Sequence, residues 1–257
     1  MKKSMNVANK KNSVNLPIEK RVREMQIFYI EDIESTLYTL SEEESKHCIR
    51  VMRMAVGDEL FVTDGRGTLC RCHIVEANAK GCVVALDERM LHYGQHNFRL
   101  HIAVAPTKNS ARMEWFVEKA VEMGIDEITP IVCAHSERQT IKTERLEKVA
   151  ISAMKQSLKA YKPIINPPTP VDELLRMPFD GQRFIAYCDG DLRTPLHEAY
   201  IPKSNALILI GPEGDFSDKE VQTALHEGFV PVTLGAYRLR TETAAMAATA
   251  FLNLLNN

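Results

Sequence analysis

Ala206-Leu-Ile-Leu-Ile-Gly-Pro-Glu-Gly-Asp-Phe-Ser217 runs five apolar residues into two glycines, a proline and a helix-capping serine. Pro231-Val-Thr-Leu-Gly-Ala-Tyr-Arg-Leu-Arg-Thr-Glu-Thr-Ala244 repeats the plan: a β-type run, a glycine, two arginines, a cap-like Thr241 and an alanine-rich helix. In α/β sheets ligands bind beyond the carboxyl ends of strands, where glycine lets the backbone come close. Taken singly, each stretch fits a plain strand-to-helix turn as well as a ligand loop. Taken together, they would enclose one pocket built mainly of backbone groups. Neither carries the G-x-x-x-x-G-K-[ST] spacing of a triphosphate loop or the G-x-G-x-x-G of a dinucleotide fold. Glu242 in the first turn of a helix also suits the macrodipole, so its chemistry stays open at this level.

Working outward, the same alternation fills the second part of the chain. β runs at Leu100–Ala105, Ile128–Cys133, Phe184–Cys188, Ala206–Ile210 and Pro231–Leu234 alternate with helical patterns near 110–123, 143–160, 217–227 and 242–255. That order predicts an α/β domain with a largely parallel sheet over 97–257. Met113, Phe116, Val117, Ala120 and Val121 form one helical stripe, which reads as core packing. From 25 to 96 the pattern is short strands around one helix, a small β-barrel-like domain. Ser41-Glu-Glu-Glu44 reads as a capping box opening a helix to about Met54, and Asp64-Gly-Arg-Gly67 as a hairpin turn. His47, Arg50 and Arg53, three apart, would share a helix face able to meet phosphates, although bases near a helix end suit its dipole without any ligand. Lys142, Arg145, Lys148, Lys155, Lys159 and Lys162 read as a solvated face.

Charge excludes one class of function. The 257 residues carry 32 basic and 34 acidic side chains, a formal net charge of −2, so the protein does not coat nucleic acid by bulk charge. The distribution is uneven. Residues 1–24 hold seven basic side chains against Glu19 and Glu24 and lack periodicity, so a disordered basic tail is expected, with Met25 a candidate start of the folded chain. Residues 25–96 hold seven basic and twelve acidic side chains. The six cysteines lack paired metal-ligand spacing, and no metal site is expected. No window spans a membrane, and the basic start lacks the apolar core of a secretory signal, so a cytoplasmic protein with reduced thiols is expected. No H-E-x-x-H or G-x-S-x-G is present.

Gly211-Pro-Glu-Gly-Asp-Phe-Ser217 with Leu234-Gly-Ala-Tyr-Arg-Leu-Arg-Thr-Glu-Thr-Ala244 closely resembles the signature of the 16S ribosomal RNA (uracil-N3)-methyltransferases of the SPOUT class. The resemblance extends to His47-Cys-Ile-Arg-Val-Met-Arg53 with Gly57-Asp58, Glu118-Lys-Ala-Val-Glu-Met-Gly124, Ser136-Glu-Arg138 and Gln156-Ser157, and so covers about 25–257. It implies an N-terminal PUA-like RNA-binding domain and a C-terminal domain with a deep trefoil knot. It implies S-adenosylmethionine as cofactor, 16S rRNA or the small ribosomal subunit as substrate, and a homodimer.

Carried across, Leu209, Gly211, Glu213, Gly214, Leu234, Gly235, Leu239, Thr243 and Ala244 would hold the cofactor. Arg240 would stabilise a uracil anion, Glu242 would accept its proton or orient it, and Arg50, Arg53, Arg66, Lys119 and Arg138 would anchor RNA. The chain departs from the family pattern at Asp215, where a second glycine is usual, and at Tyr237 to Leu239, where Pro-Arg-Ile-Leu-Arg is the commoner reading. Lys159 stands where arginine is frequent after Gln-Ser. Transfer to a ribose 2′-hydroxyl and a non-catalytic rRNA-binding assembly factor are the competing expectations.

Overall fold

A computed structural model describes residues 26–188 and 193–257; the expected basic tail and Met25 lie outside the described residues. The chain divides into two compact units. One runs up to Gln95 and takes in Met154–Tyr161; the other comprises His96–Ala153 and Lys162–Asn257.

The first unit contains β1 (Ile27–Tyr29), β2 (Leu37–Thr39), α1 (Glu42–Lys46), β3 (Glu59–Thr63), β4 (Leu69–Glu76) and β5 (Val83–Met90). Its sheet has the order β1-β3-β4-β5-β2, antiparallel except for β1 beside β3. Asp64 makes the β3–β4 turn by accepting the backbone N–H groups of Arg66 at 2.7 Å and Thr68 at 3.1 Å. Ser41 caps α1 through the Glu44 N–H, but the expected capping box is not completed. The Glu44 carboxylate is buried and pairs with Lys155 instead, a partner 111 residues away. The helix then widens into a π turn over His47–Val51, and Arg53 lies beyond it at φ 56°. The expected three-residue ladder is therefore not a single helix face, because the π turn changes the angular step and Arg53 has left the helix.

Residues 154–161, assigned from sequence to the second domain, pack within this unit. Ala160 is buried with Ile27, Phe61 and Leu69, and its carbonyl accepts from Gly67 N–H at 2.8 Å.

The second unit contains β6 (Leu100–Val104), α2 (Ser110–Met123), β7 (Glu127–Val132), α3 (Thr143–Gln156, whose end belongs to the first unit), β8 (Ile164–Ile165), β9 (Thr169–Pro170), α4 (Val171–Leu174), β10 (Gln182–Ala186), β11 (Thr194–Pro195), α5 (Leu196–Ala199), β12 (Ala206–Ile210), α6 (Asp218–His226), β13 (Val230–Thr233) and α7 (Thr241–Asn256). Its sheet is parallel, ordered β11-β13-β10-β12-β6-β7-β8, with β9 also on β7. β6 and β12 are buried at every residue, as continuous apolar runs covered on both faces should be. Asn109 caps α2 and Gly124, at φ 90°, ends it. The stripe from Met113 to Val121 is buried as its spacing predicts; full burial of a side chain such as Phe116 is worth roughly 1.5–3 kcal/mol. α7 buries Ala245, Ala248, Thr249 and Leu252 and packs on α2 and β6. Because the strands are parallel, β10, β12 and β13 all end on one edge of the sheet. That edge carries both glycine loops.

Candidate active site

The loop after β12 is tied down from several directions. Ser217 and Glu220 complete a capping box on α6, and the second Glu220 oxygen accepts the Ala134 N–H at 2.8 Å. His135 Nδ1 lies 3.1 Å from the carbonyls of both Gly214 and Asp215, so that nitrogen carries the proton and donates. Asp215 adopts φ 60°, a costly conformation for a residue with a Cβ. Its two carboxylate oxygens accept from Cys188 N–H at 2.7 Å and from its neighbour Phe216 N–H at 2.8 Å, which secures the turn and ties it to the end of β10. A Cβ on Gly211 would meet the Phe216 ring at 3.0 Å, and one on Gly214 would meet the His135 side chain at 3.0 Å, so a larger residue at either position would press its neighbour aside by a few tenths of an ångström. Thr241 is not the cap that its position suggests but the first residue of α7, and its hydroxyl donates to the Gly211 carbonyl at 3.1 Å. The two loops are thereby joined. With Arg240 at the N-cap and no side-chain capping bond, the first N–H groups of α7 lack intrahelical partners.

Between the loops is a cleft with two adjoining lobes of about 320 Å³ and about 400 Å³ that share Ala186, Cys188, Arg238, Leu239 and Ala244. The first lobe adds Ile210, Gly211, Glu213, Asp215 and Arg240, and the second adds Leu234, Gly235 and Tyr237. Of the nine residues expected to hold a ligand, Gly211, Glu213, Leu234, Gly235, Leu239 and Ala244 line this cleft. Leu209 does not: it is in β12, fully buried in the hydrophobic core, with its backbone in register with Ile185 and Ala103. Gly214 faces His135 rather than the cleft, and Thr243 is exposed on α7 outside the lining. Of the two expected catalytic residues, Arg240 is an exposed cleft residue. Glu242 is 8% exposed, is absent from the lining, and directs Oε1 toward Arg112 Nε of α2 at 3.6 Å. Glu220 went unnoticed in the sequence although Ser217-x-x-Glu220 has capping-box spacing. No local signal marks His135 or the Asp215–Cys188 bond.

The lining combines apolar side chains, two carboxylates, exposed guanidinium groups and open backbone, which suits a ligand with an apolar ring and a cationic centre. A family model described as an RNA methyltransferase domain matches residues 94–253, and one described as the PUA domain of RNA methyltransferases matches 40–87. The chain belongs to the RNA methyltransferase family. It is similar to a crystal structure of a probable rRNA-methyltransferase from Porphyromonas gingivalis, with 46% identity and a TM-score of 0.84 over 90% of this chain and 98% of that one. A protein from Legionella pneumophila assigned as a methyltransferase, solved with bound cofactor SAM, is 25% identical with a TM-score of 0.82, covering 90% and 98%. Ribosomal RNA small subunit methyltransferase E of Aquifex aeolicus is 29% identical over 89% of this chain and 99% of that protein.

The RNA-binding residues expected of this methyltransferase fare unequally. Arg50 and Arg53 are exposed in the first unit, with no ion-pair partner among the described residues. Arg66 is exposed but pairs with Asp32 at 3.0 Å and approaches Asp64. Lys119 is held between Glu118 at 2.7 Å and Glu122 at 2.9 Å, so its charge is offset locally, which argues against it as a phosphate anchor. Arg138 reaches the Lys108 carbonyl at 3.4 Å, in the loop after β7. No helix among the described residues is long and apolar enough to cross a membrane.

Proposed function

We propose that this methyltransferase transfers a methyl group from S-adenosylmethionine to N3 of a uridine in 16S ribosomal RNA. The observation that carries this reading is the cleft: two joined glycine loops at the carboxyl edge of β10, β12 and β13, with the exposed Arg240 on the wall. Ala186, Ile210, Leu239 and Ala244 offer an apolar surface to the adenine and thioether parts of the cofactor, and the loop backbone offers donors and acceptors. S-adenosylmethionine supplies an electrophilic methyl group on a cationic sulfur.

The chain must expose the base, favour loss of the N3 proton and hold N3 in line with the methyl group. Arg240 donates charge-assisted hydrogen bonds to the oxygen on which uracil charge develops, an interaction strengthened where water is excluded. Glu242 is buried and set back from the cleft lining, with Oε1 3.6 Å from Arg112 Nε, so the lining carboxylates are the nearer candidates for the base. Two carboxylates line the cleft. Asp215 spends both oxygens on backbone N–H groups, whereas Glu213 commits only Oε1, to the Lys108 N–H at 3.3 Å, which leaves its other oxygen to accept the N3 proton.

The PUA domain, through Arg50 and Arg53, is assigned to RNA anchoring in the cytoplasm. The segment after β13 returns past β10 to reach the end of β12, and α7 then packs on β6. That return path supports a trefoil knot, a rare topology in proteins. A homodimer is assigned on the family resemblance. Mapping methylation in rRNA from a strain lacking the gene tests the reading: N3-methyluridine in the small-subunit RNA should disappear and return on complementation. An unchanged level overturns it.

A further inference from the structure

Tyr237 is 88% exposed on the rim of the larger lobe, next to Arg238 and three residues from Arg240. Neither guanidinium group has a hydrogen-bond or ion-pair partner among the described residues, whereas Arg66, Lys108, Lys119 and Arg145 are all paired with carboxylates. The approach is open as well: Gly235, at φ 140°, has no atom within 4 Å of where a Cβ would stand. An exposed aromatic ring beside unspent guanidinium groups is the arrangement that holds single-stranded nucleic acid, the base on the ring and the phosphates on the cations. A uridine that enters the cleft must leave its stack, and its neighbour then loses a stacking partner. Tyr237 sits on the rim of the larger lobe with most of its surface open to solvent, so it is placed to meet that neighbour while the reacting base enters the cleft.

We propose that Tyr237 is the stacking platform for the nucleobase adjacent to the target, with Arg238 on the intervening phosphate. The inference rests on the proposed RNA substrate, and its test separates the two. Full-length wild type, Tyr237→Ala, Tyr237→Phe and Tyr237→Trp are titrated with a small-subunit RNA fragment containing the target. The titrations are repeated with fragments made abasic on either side of it. Tyr237→Ala should weaken RNA binding and raise KM about tenfold, with kcat nearly unchanged, while the aromatic replacements retain wild-type values. On one of the abasic fragments the difference between wild type and Tyr237→Ala should vanish, the mark of a direct pairwise contact.

Cofactor affinity by calorimetry should be equal in all four proteins. Unchanged RNA affinity in Tyr237→Ala overturns the assignment, as does a parallel loss of cofactor affinity, a shift in oligomeric state, or a penalty that persists on both abasic fragments. Should the wild type bind the fragment yet methylate no uridine N3, the proposed reaction fails while the affinity series still decides the role of Tyr237. Failure of the wild type to bind the fragment overturns both.

Discussion

The two edges of the parallel sheet each carry a cavity lined with polar groups, of about 320 and 400 Å³ at the carboxyl edge and about 370 Å³ near the amino ends of β6, β7 and β12. At the amino edge the polar groups are spent on one another. Glu127 pairs with Arg99 and accepts from Asn166 at 2.6 Å, Asn166 also donates to Thr129 at 2.7 Å, and His101 Nε2 lies 2.7 Å from the Thr129 hydroxyl. At the carboxyl edge the Arg238 and Arg240 guanidinium groups lack partners among the described residues, and α7 begins without a side-chain cap. Cavity volume therefore does not distinguish a site from a structural cluster. Unspent donors do. A closed network stabilises the sheet, because each buried polar group has already recovered its desolvation cost.

The strongest way to break this contrast is Arg240→Ala. It should lower kcat by about 100- to 1,000-fold, the usual cost of removing a donor to developing charge, with thermal stability and RNA affinity largely kept. Single-turnover methyl transfer beside RNA titration reads both, and an equal loss of turnover and RNA affinity would contradict its place on the cleft wall.

The amino edge should respond to pH rather than to substrate. Burial holds the His101 pKa down at about 4, with Glu127 opposing that shift, and the side chain is only 4% exposed. The unfolded chain takes up this proton near pH 6.5, so the stabilisation is complete above that value and falls away toward pH 4. The expected loss at about pH 5 is about 2 kcal/mol. Urea unfolding at about pH 7.5 and about pH 5 should show it, and His101→Asn should flatten that part of the profile. A wild-type stability insensitive to pH across this range would refute the buried neutral histidine.

A smaller effect sharpens the picture of the carboxyl edge. Asp215→Gly should weaken cofactor binding about tenfold by releasing the Cys188 and Phe216 amides, and Asp215→Ala should weaken it several-fold further, because alanine keeps the strain at positive φ that glycine relieves. Calorimetry gives the order directly; alanine binding better than glycine would show that strain does not govern this turn.

Local patterns read well wherever neighbouring residues decide the outcome. The α2 stripe, the β12 run, the Asp64 turn and the Ser217 cap each depend on contacts within a few residues, and each appears in the structure. Reading failed where a distant partner competed. Glu44 left its capping box for Lys155, and residues 154–161 joined the first unit through Ala160. The two-residue strands β8, β9 and β11 carry too few side chains to show a period.

The order of β runs, glycine loops and helices was enough to determine an α/β domain that follows a smaller β domain along the chain, and the motif pair was enough to point to the family. Those features are one-dimensional: hydrophobic spacing, caps and the backbone freedom of glycine act along the chain. Which charged groups are free and which are already paired was decided by folding, because pairing depends on residues brought together from as far apart as Glu44 and Lys155 or Arg112 and Glu242. That is why Arg240 and Tyr237 emerge as exposed groups at the cleft, and Lys119 and Glu242 do not.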